Sequence, residues 1–371
     1  MAYKVLGLVD CFNEPELGLM TRHRSVASTT FLSRYAFIDF PLSNFLNSNI
    51  PSIGVLCRNH IRSLQKHVGN GRYWIGNTKI GDFSILYDEP NVANPGYNTD
   101  VACLLENHWY LKQIHPDYVI IAEPHFVFEA DYDLLLKEHI ASGARISMLY
   151  TKADHLKTSF INDRKIYLSP ANKILRMEKN KLNEDEGNIA VGSLIMDYPM
   201  LESLLDYASS TSSFFGLMDT LNYVSSSVLI RPVLLNSYVR SIDSLPHYLK
   251  YSLELLDEAV FHSLFKEDWT IRTRTYDTPP TCYRDGAIVE NAYIGNGSII
   301  EGTVINSVLG RGVKVEKGAI IRNACIGSGS LIAANTHIEN AVVDREAQVV
   351  HISEVKGSMD DPIYIARGDI I

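Results

Sequence analysis

Short apolar runs separated by longer amphipathic stretches dominate the first 245 or so residues. "KVLGLV" (4–9), "IGVLC" (53–57), "YVIIA" (118–122) and "ISMLYT" (146–151) are too short and too uniformly apolar for surface helices, and they predict buried strands. "DLLLKEHIAS" (133–142) and "LPHYLKYSLELLDEAVFHSLF" (245–265) place apolar residues at helical spacing. Strands alternating with helices predict an α/β sandwich around a parallel sheet. From Ile288 onward the period becomes six. Ile288, Ile294 and Ile300 form one phased triplet, Leu309, Val315 and Ile321 a second, and Ile326, Ile332 and Ile338 a third. Several of these residues precede a small-residue turn, as in "IGNGS", "LGRGV" and "IGSGS". Three hexads predict an 18-residue triangular coil of a left-handed parallel β-helix, its aliphatic residues pointing to the axis and Gly or Asn at the corners. The expected organisation is an α/β domain over 1–245, a helix and linker over 246–284 with a stiff crossing at Pro279-Pro280, and a β-helix over 285–371.

Composition narrows the function classes. A net charge of −9 argues against nucleic acid or an anionic membrane as a main partner, because both reward a basic face. No apolar run approaches the roughly 20 residues of a membrane span. Met1–Leu8 enters a strand pattern without a signal-peptide core or cleavage site. The five cysteines, Cys11, Cys57, Cys103, Cys282 and Cys325, are scattered and form no C-x-x-C pair, as expected of reduced thiols in a cytoplasmic chain.

The run Tyr118–Ala122 poses the sharpest chemical question. Ligands and metals collect beyond the carboxyl ends of strands in such sheets, and a nucleotide-handling enzyme needs an acid there. Here the chain reads Glu123-Pro124-His125.

Three stretches carry a resemblance. "RYAFIDFPLSNFLNSNIPSIGVLCRNHIRSLQKHV" (34–68), "NIAVGSLIMDY" (188–198) and "WTIRTRTYDTPP" (269–280) resemble bacterial ADP-glucose pyrophosphorylases, the glucose-1-phosphate adenylyltransferases, over nearly the whole chain. The resemblance implies a Rossmann-like, GT-A-like nucleotidyltransferase domain followed by a left-handed β-helix, and within the family it points to the catalytically impaired GlgD-type subunits.

The impairment follows from chemistry. Adenylyl transfer needs a glycine-rich loop for the triphosphate, a basic residue, and Mg²⁺ on carboxylates. The family's loop after the first strand reads G-G-x-G-T-R-L. This chain has "LGLVDCFNEPELGLMTRHR" (6–24), where only Gly7 and the distant Gly18 remain and Asp10, Glu14 and Glu16 add negative charge. Aligned on His125, the family's metal-binding G-D-H-I-Y places its Asp at Pro124 and its Gly at Glu123. The second metal motif, D-V-G-T, aligns through Ile242-Asp243-Ser244 and places its Asp at Tyr238 and its Gly at Arg240. Proline has neither a ligand atom nor an N–H.

Some sugar-side features persist. Glu178 and Lys179 match the family's E-K-P, whose Lys contacts the sugar phosphate, and Gly192 and Ser193 keep a small-residue strand beside it. The resemblance implies that together they make a vestigial sugar-phosphate site, while Glu178-Lys179 taken alone reads as a solvated pair at a strand end. Phe215-Gly216 starts like F-G-K-D, but Leu217 and Met218 replace its polar pair. The basic residue of the family's R-A-K-P, near the activator site, aligns with Val26.

The remaining candidates have plainer readings. His337 and His351 fall on or beside the β-helix, where acyltransferases place a catalytic histidine, at no more than the chance frequency. Asp39 reads as a turn or helix-cap acid, and Cys325 as a packed or surface thiol.

The resemblance thus implies a regulatory subunit of a glucose-1-phosphate adenylyltransferase in glycogen biosynthesis. Such a subunit binds no metal or cofactor of its own and leaves Mg²⁺ to a catalytic homologue, in a hetero-oligomer (a heterotetramer) or a homo-oligomer alone. The alternatives are an active pyrophosphorylase with ligands relocated to Glu123 or Asp243, and a β-helix acyltransferase.

Overall fold

The computed structural model describes residues 3–76, 81–87 and 94–371. They form two compact units that interleave in sequence. The first holds the residues up to 14 together with 38–241 and 269–272, and the second holds 15–37, 242–268 and 273–371.

The first unit is built on one sheet. Its strands are β1 (Val5–Asp10), β2 (Ser52–Leu56), β3 (Asp82–Leu86), β4 (Tyr118–Ala122), β5 (Phe126–Phe128), β6 (Ile146–Ala153), β7 (Arg164–Leu168), β8 (Ile174–Lys179), β9 (Gly187–Asp197), β10 (Ile230–Leu234) and β11 (Val239–Ser241). Nine of them pair in the order β8-β7-β9-β4-β1-β2-β3, with β6 joining β9 to β10, while β5 and β11 form a separate antiparallel pair. β1 lies parallel to both β2 and β4, and β9 runs antiparallel to β4. The four apolar runs read from the sequence are β1, β2, β4 and β6, and β1 and β4 are buried almost throughout.

Helices α1 (Asp39–Asn47), α2 (Ile61–Val68), α3 (Asp100–Glu106), α4 (His108–Ile114), α5 (Tyr132–Ser142), α6 (Tyr198–Thr211) and α7 (Leu217–Val224) flank this sheet. Their starts are chemically marked. Asp131 accepts the Asp133 and Leu134 N–H groups at the head of α5, and Asp197 accepts the Met200 N–H ahead of Pro199 in α6. Two of the stretches that carried the resemblance meet here. Ser43 of "IDFPLSN" accepts the Arg272 N–H at 2.8 Å, and Trp269 donates its indole N–H to Asn44 at 2.9 Å. Asn44 in turn donates to the Phe128 carbonyl at 3.0 Å. Gly7 belongs to β1, where a Cβ would lie 2.7 Å from the Phe45 ring, so it serves helix–sheet packing.

The second unit is a parallel β-helix joined by the segments 15–37 and 242–268. Its core is three vertical aliphatic ladders: Ile300–Val315–Ile332–Val349, Val304–Ile321–Ile338–Val355, and Leu309–Ile326–Val343–Ile365. The hexad triplets of the sequence therefore mark the three sides of one coil, and the ladders run between coils. The repeat also departs from 18: vertical neighbours such as Tyr283 and Ile300, or Val315 and Ile332, stand 17 apart, with one step of 15 from Ile300 to Val315. The cause is one corner. Asn306, Asn323 and Asn340 turn it singly with φ of 45°, 48° and 49°, so that step takes five residues, as from Val304 to Leu309, instead of six. Their side chains stack into a hydrogen-bonded column that begins at Asn291, with steps of 2.9, 2.6 and 3.3 Å, and ends on the Gly357 carbonyl. Ile288 is half-exposed at the open first coil, and Val289 takes the register position beneath Val304.

The helical stretch 245–265 is two helices, α8 (Leu245–Glu254) and α9 (Glu258–Leu264). The break comes at Asp257, whose carboxylate caps the Ala259 and Val260 N–H groups and so starts a new helix. Within this unit Arg24 reaches the β-helix with a bidentate pair to Asp344, at 2.9 and 2.7 Å, and both side chains are buried. Tyr364 donates to the same carboxylate at 2.6 Å. Burial alone would raise the Asp344 pKa, but the Arg24 charge and these hydrogen bonds outweigh it and hold the carboxyl below its ordinary value.

Candidate functional site

The strand order of the first unit reverses direction at β1, which has β2 on one side and β4 on the other. The crevice beyond the carboxyl ends of β1 and β4 is where such a sheet offers a ligand site. Val9 is in register with Ala122, so Asp10, which ends β1, and Glu123, which follows β4, stand level at its floor.

Asp10 is buried and accepts the Phe12 N–H at 2.9 Å. Its carboxyl also hydrogen-bonds Asp100 at the start of α3. Asp100 accepts the Val101 N–H at 2.8 Å and the Leu217 N–H at 3.0 and 3.2 Å, tying α3 to α7. Burial raises both carboxyls. Asp10, which also faces the charges of Asp100 and Glu123, is pushed well above its ordinary value.

Glu123 donates its backbone N–H to the Gly192 carbonyl at 3.0 Å. Burial pushes its carboxyl up to about 7; the charges of His125 and Arg164 oppose that shift, and Asp163 and Asp100 add to it. His125 Nε2 is 3.2 Å from Asp163 and 3.7 Å from Glu123 Oε2. Burial would depress the imidazole pKa, but the Asp163 hydrogen bond and charge, followed by Glu123, outweigh it and raise it. Pro124 is buried between the two and offers no ligand atom. Tyr238 is half-buried beneath the Arg240 guanidinium, which lies 4.7 Å over its ring.

This donor set does not fit Mg²⁺. The two aligned positions supply a proline and a tyrosine, Glu123 turns toward Gly192 and His125, and the Asp10 carboxyl is engaged with Asp100. Among the described residues no three His, Cys, Asp or Glu side chains are arranged to hold a metal ion. Asp243 lies in the second unit, 2.5 Å from His247 Nδ1 at the head of α8.

On the sugar side, β8 pairs with β7 so that Glu178 faces Lys165 and Lys179 faces Arg164. Successive strand residues point to opposite faces, so Glu178 and Lys179 serve different surfaces. Glu178 accepts the Tyr167 hydroxyl at 2.5 Å, and Arg176 stacks 4.1 Å over the same ring. Lys179 is exposed on the face of Arg164, which pairs with Asp219 at 2.7 Å. Ser193 is buried and bonded to the Tyr132 hydroxyl at 2.9 Å. Leu217 and Met218 belong to the apolar core of the unit, and the Leu217 backbone serves Asp100.

The sequence reading missed Asp100, Asp163 and Arg164. Asp100, following the cap residue Thr99, has the pattern of an ordinary helix start, and only the fold brings it to Asp10, 90 residues earlier. Among the other candidates, Asp39 opens α1 and bonds His67 at 2.6 Å. Cys325 is buried, which pushes its thiol up to about 12. His337 is half-buried and His351 exposed, and Val26 is packed in a short 3-10 turn.

A family model described as GlmU-like, C-terminal hexapeptide matches residues 281–359. A GlgD glycogen biosynthesis protein of Bacillus subtilis is 26% identical over 98% of this chain and 96% of its own length. A second GlgD, from Geobacillus stearothermophilus, is 29% identical over 85% of the chain and 82% of its own length. A glucose-1-phosphate adenylyltransferase of Lachnospira eligens is 28% identical over 81% of the chain and 71% of its own length. Over most of its length the chain is similar to ADP-glucose pyrophosphorylases and GlgD proteins. It joins a Rossmann-like α/β unit to a hexapeptide β-helix. Its crevice has carboxyl groups at the floor, with Pro124 and Tyr238 at the two aligned positions. No helix among the described residues is long and apolar enough to cross a membrane.

Proposed function

We propose that this chain is a regulatory subunit of a glucose-1-phosphate adenylyltransferase with little or no activity of its own, working in a hetero-oligomer with a catalytic homologue that holds the Mg²⁺. One observation carries the reading: the buried Asp10–Asp100 pair and Glu123 occupy the crevice floor where a nucleotide triphosphate would have to be neutralised. Buried carboxyl groups give a polyphosphate acceptors and no positive counter-charge, and the residues at the aligned positions do not make a metal ligand set that could bridge them. The exposed Lys179 leaves a weak sugar-phosphate contact as the remnant of substrate binding. Regulation acts through contact, as a difference in affinity for two states of the partner, typically 1–3 kcal/mol or roughly 5- to 150-fold in an apparent constant. The open first coil and flat faces of the β-helix supply the assembly surface.

The test measures ADP-glucose synthesis by the purified chain, by a catalytic homologue and by their mixture. Trace activity alone, with higher activity or altered effector or substrate affinity in the mixture, is expected. A mixture that matches the catalytic subunit at every substrate and effector concentration overturns the regulatory reading, and robust turnover by the chain alone overturns the impairment.

A further inference from the structure

Among the described residues, strand β3 is the edge of the first unit's sheet and pairs only with β2. A groove of about 550 Å³ opens along it, a volume in the usual range for small-ligand sites. Two large aromatic side chains stand exposed at this groove: Tyr87, 56% exposed just past the end of β3, and Trp109, 57% exposed in the first turn of α4. Phe83 and Ser84 of β3 and Gln65 of α2 supply an aromatic face, a hydroxyl and an amide.

The frame is rigid. The Asn107 amide donates to the Tyr87 carbonyl at 3.0 Å and to the Cys103 carbonyl at 2.9 Å, tying the end of β3 to the α3–α4 junction. Tyr110, next to Trp109, is buried and donates to the Ile53 carbonyl at 3.1 Å. Gly69 ends α2 with φ +58° and open space around its Cβ position, leaving that end of the groove clear.

The lining chemistry selects the ligand. In a chain of net charge −9, none of the described residues lining the groove is charged, and Arg62 and Lys66 of α2 lie outside the lining. Nucleotides, sugar phosphates and cations find no counter-charge among the described residues that line it. An aromatic ring has a negative face, which suits the C–H-rich face of a pyranose. An amide, a hydroxyl and the free edge of β3 then offer donors and acceptors to its hydroxyls. We infer that this groove binds a neutral oligosaccharide, with Trp109 and Tyr87 as its stacking platforms. The ligand class rests on the groove. The choice of an α-1,4-glucan rests on the family's place in glycogen biosynthesis and not on whether this subunit regulates a partner.

The test is native electrophoresis of the full chain through gels with and without glycogen, together with titration of intrinsic fluorescence with maltoheptaose. Wild-type chain should be retarded by glycogen, and maltoheptaose should perturb its fluorescence. Trp109→Ala and Tyr87→Ala should each weaken the apparent affinity about tenfold or more, with melting temperatures unchanged because both side chains are exposed. Trp109→Phe should retain most of the binding. Wild-type mobility that is the same in both gels overturns the inference, as does retardation that persists undiminished in both alanine variants. Loss of co-purification with a catalytic homologue in Trp109→Ala, with glucan binding intact, would make the groove a protein-docking face and also overturn it. The mixing experiment with a catalytic homologue can fail without affecting any of these results.

Discussion

Glu123 occupies the space that a side chain on Gly192 would need. A Cβ at position 192 would lie 2.7 Å from both the Cβ and Oε2 of Glu123, and Gly192 holds φ at +62°. Both features demand glycine, one for space and one for backbone conformation. Gly192→Ala should therefore destabilise the protein by about 2–4 kcal/mol, combining a left-handed backbone cost with overpacking. Urea unfolding measures it, and a loss below about 0.5 kcal/mol would show that Glu123 can move aside freely.

The acid–histidine contact makes the first unit pH-sensitive near neutrality. Glu123 has a folded pKa of about 7 against an ordinary 4.5, so the folded state binds the extra proton between those values. That contribution is fully present below about pH 4.5 and is lost as pH rises through 7. His125, whose pKa is also raised, contributes with the same sign. Stability should fall from pH 6 to pH 8, by no more than about 3 kcal/mol from Glu123. Glu123→Gln should flatten most of that slope. Melting temperatures that change in parallel for both proteins would assign the slope to other groups.

The Arg24–Asp344 pair should matter to the second unit through both of its members. Asp344→Asn leaves a buried guanidinium without its counter-charge and should cost about 3–5 kcal/mol. Replacing both residues by apolar side chains should cost less, because no charge is then left buried. Asp344 is depressed in the folded state, so its stabilisation is present above the ordinary carboxylate value and disappears as pH falls through the lower folded value. Chemical denaturation of the single and double variants checks this, and an additive double variant refutes the coupling.

Restoring one metal ligand should not restore catalysis. Pro124→Asp adds a carboxylate to a crevice that still holds Asp10, Asp100 and Glu123 and still lacks a phosphate loop. Each missing electrostatic element commonly costs on the order of 10² to 10³ in rate, so the repaired chain should stay near background. ADP-glucose formation by Pro124→Asp within tenfold of a catalytic homologue would contradict the impairment.

The sequence determined the architecture wherever a local pattern was enough. Buried strands declare themselves by uniform apolar runs, as Tyr118–Ala122 does, and β-helix coils by aliphatic residues that recur at each side. That position 124 offers no ligand atom was legible for the same reason, since a proline's chemistry does not depend on its neighbours. The tertiary structure decided what depends on residues distant in the chain. It placed Asp100 against Asp10 and gave the segment 15–37 to the second unit through Arg24 and Asp344. It set the coil at 17 residues by turning one corner on single left-handed asparagines. It also separated Glu178 from Lys179, because adjacent residues of a strand point to opposite faces. Periodicity encodes which way a side chain faces its own element. Which distant group it meets there, and therefore its charge and its chemistry, is fixed only when the chain folds.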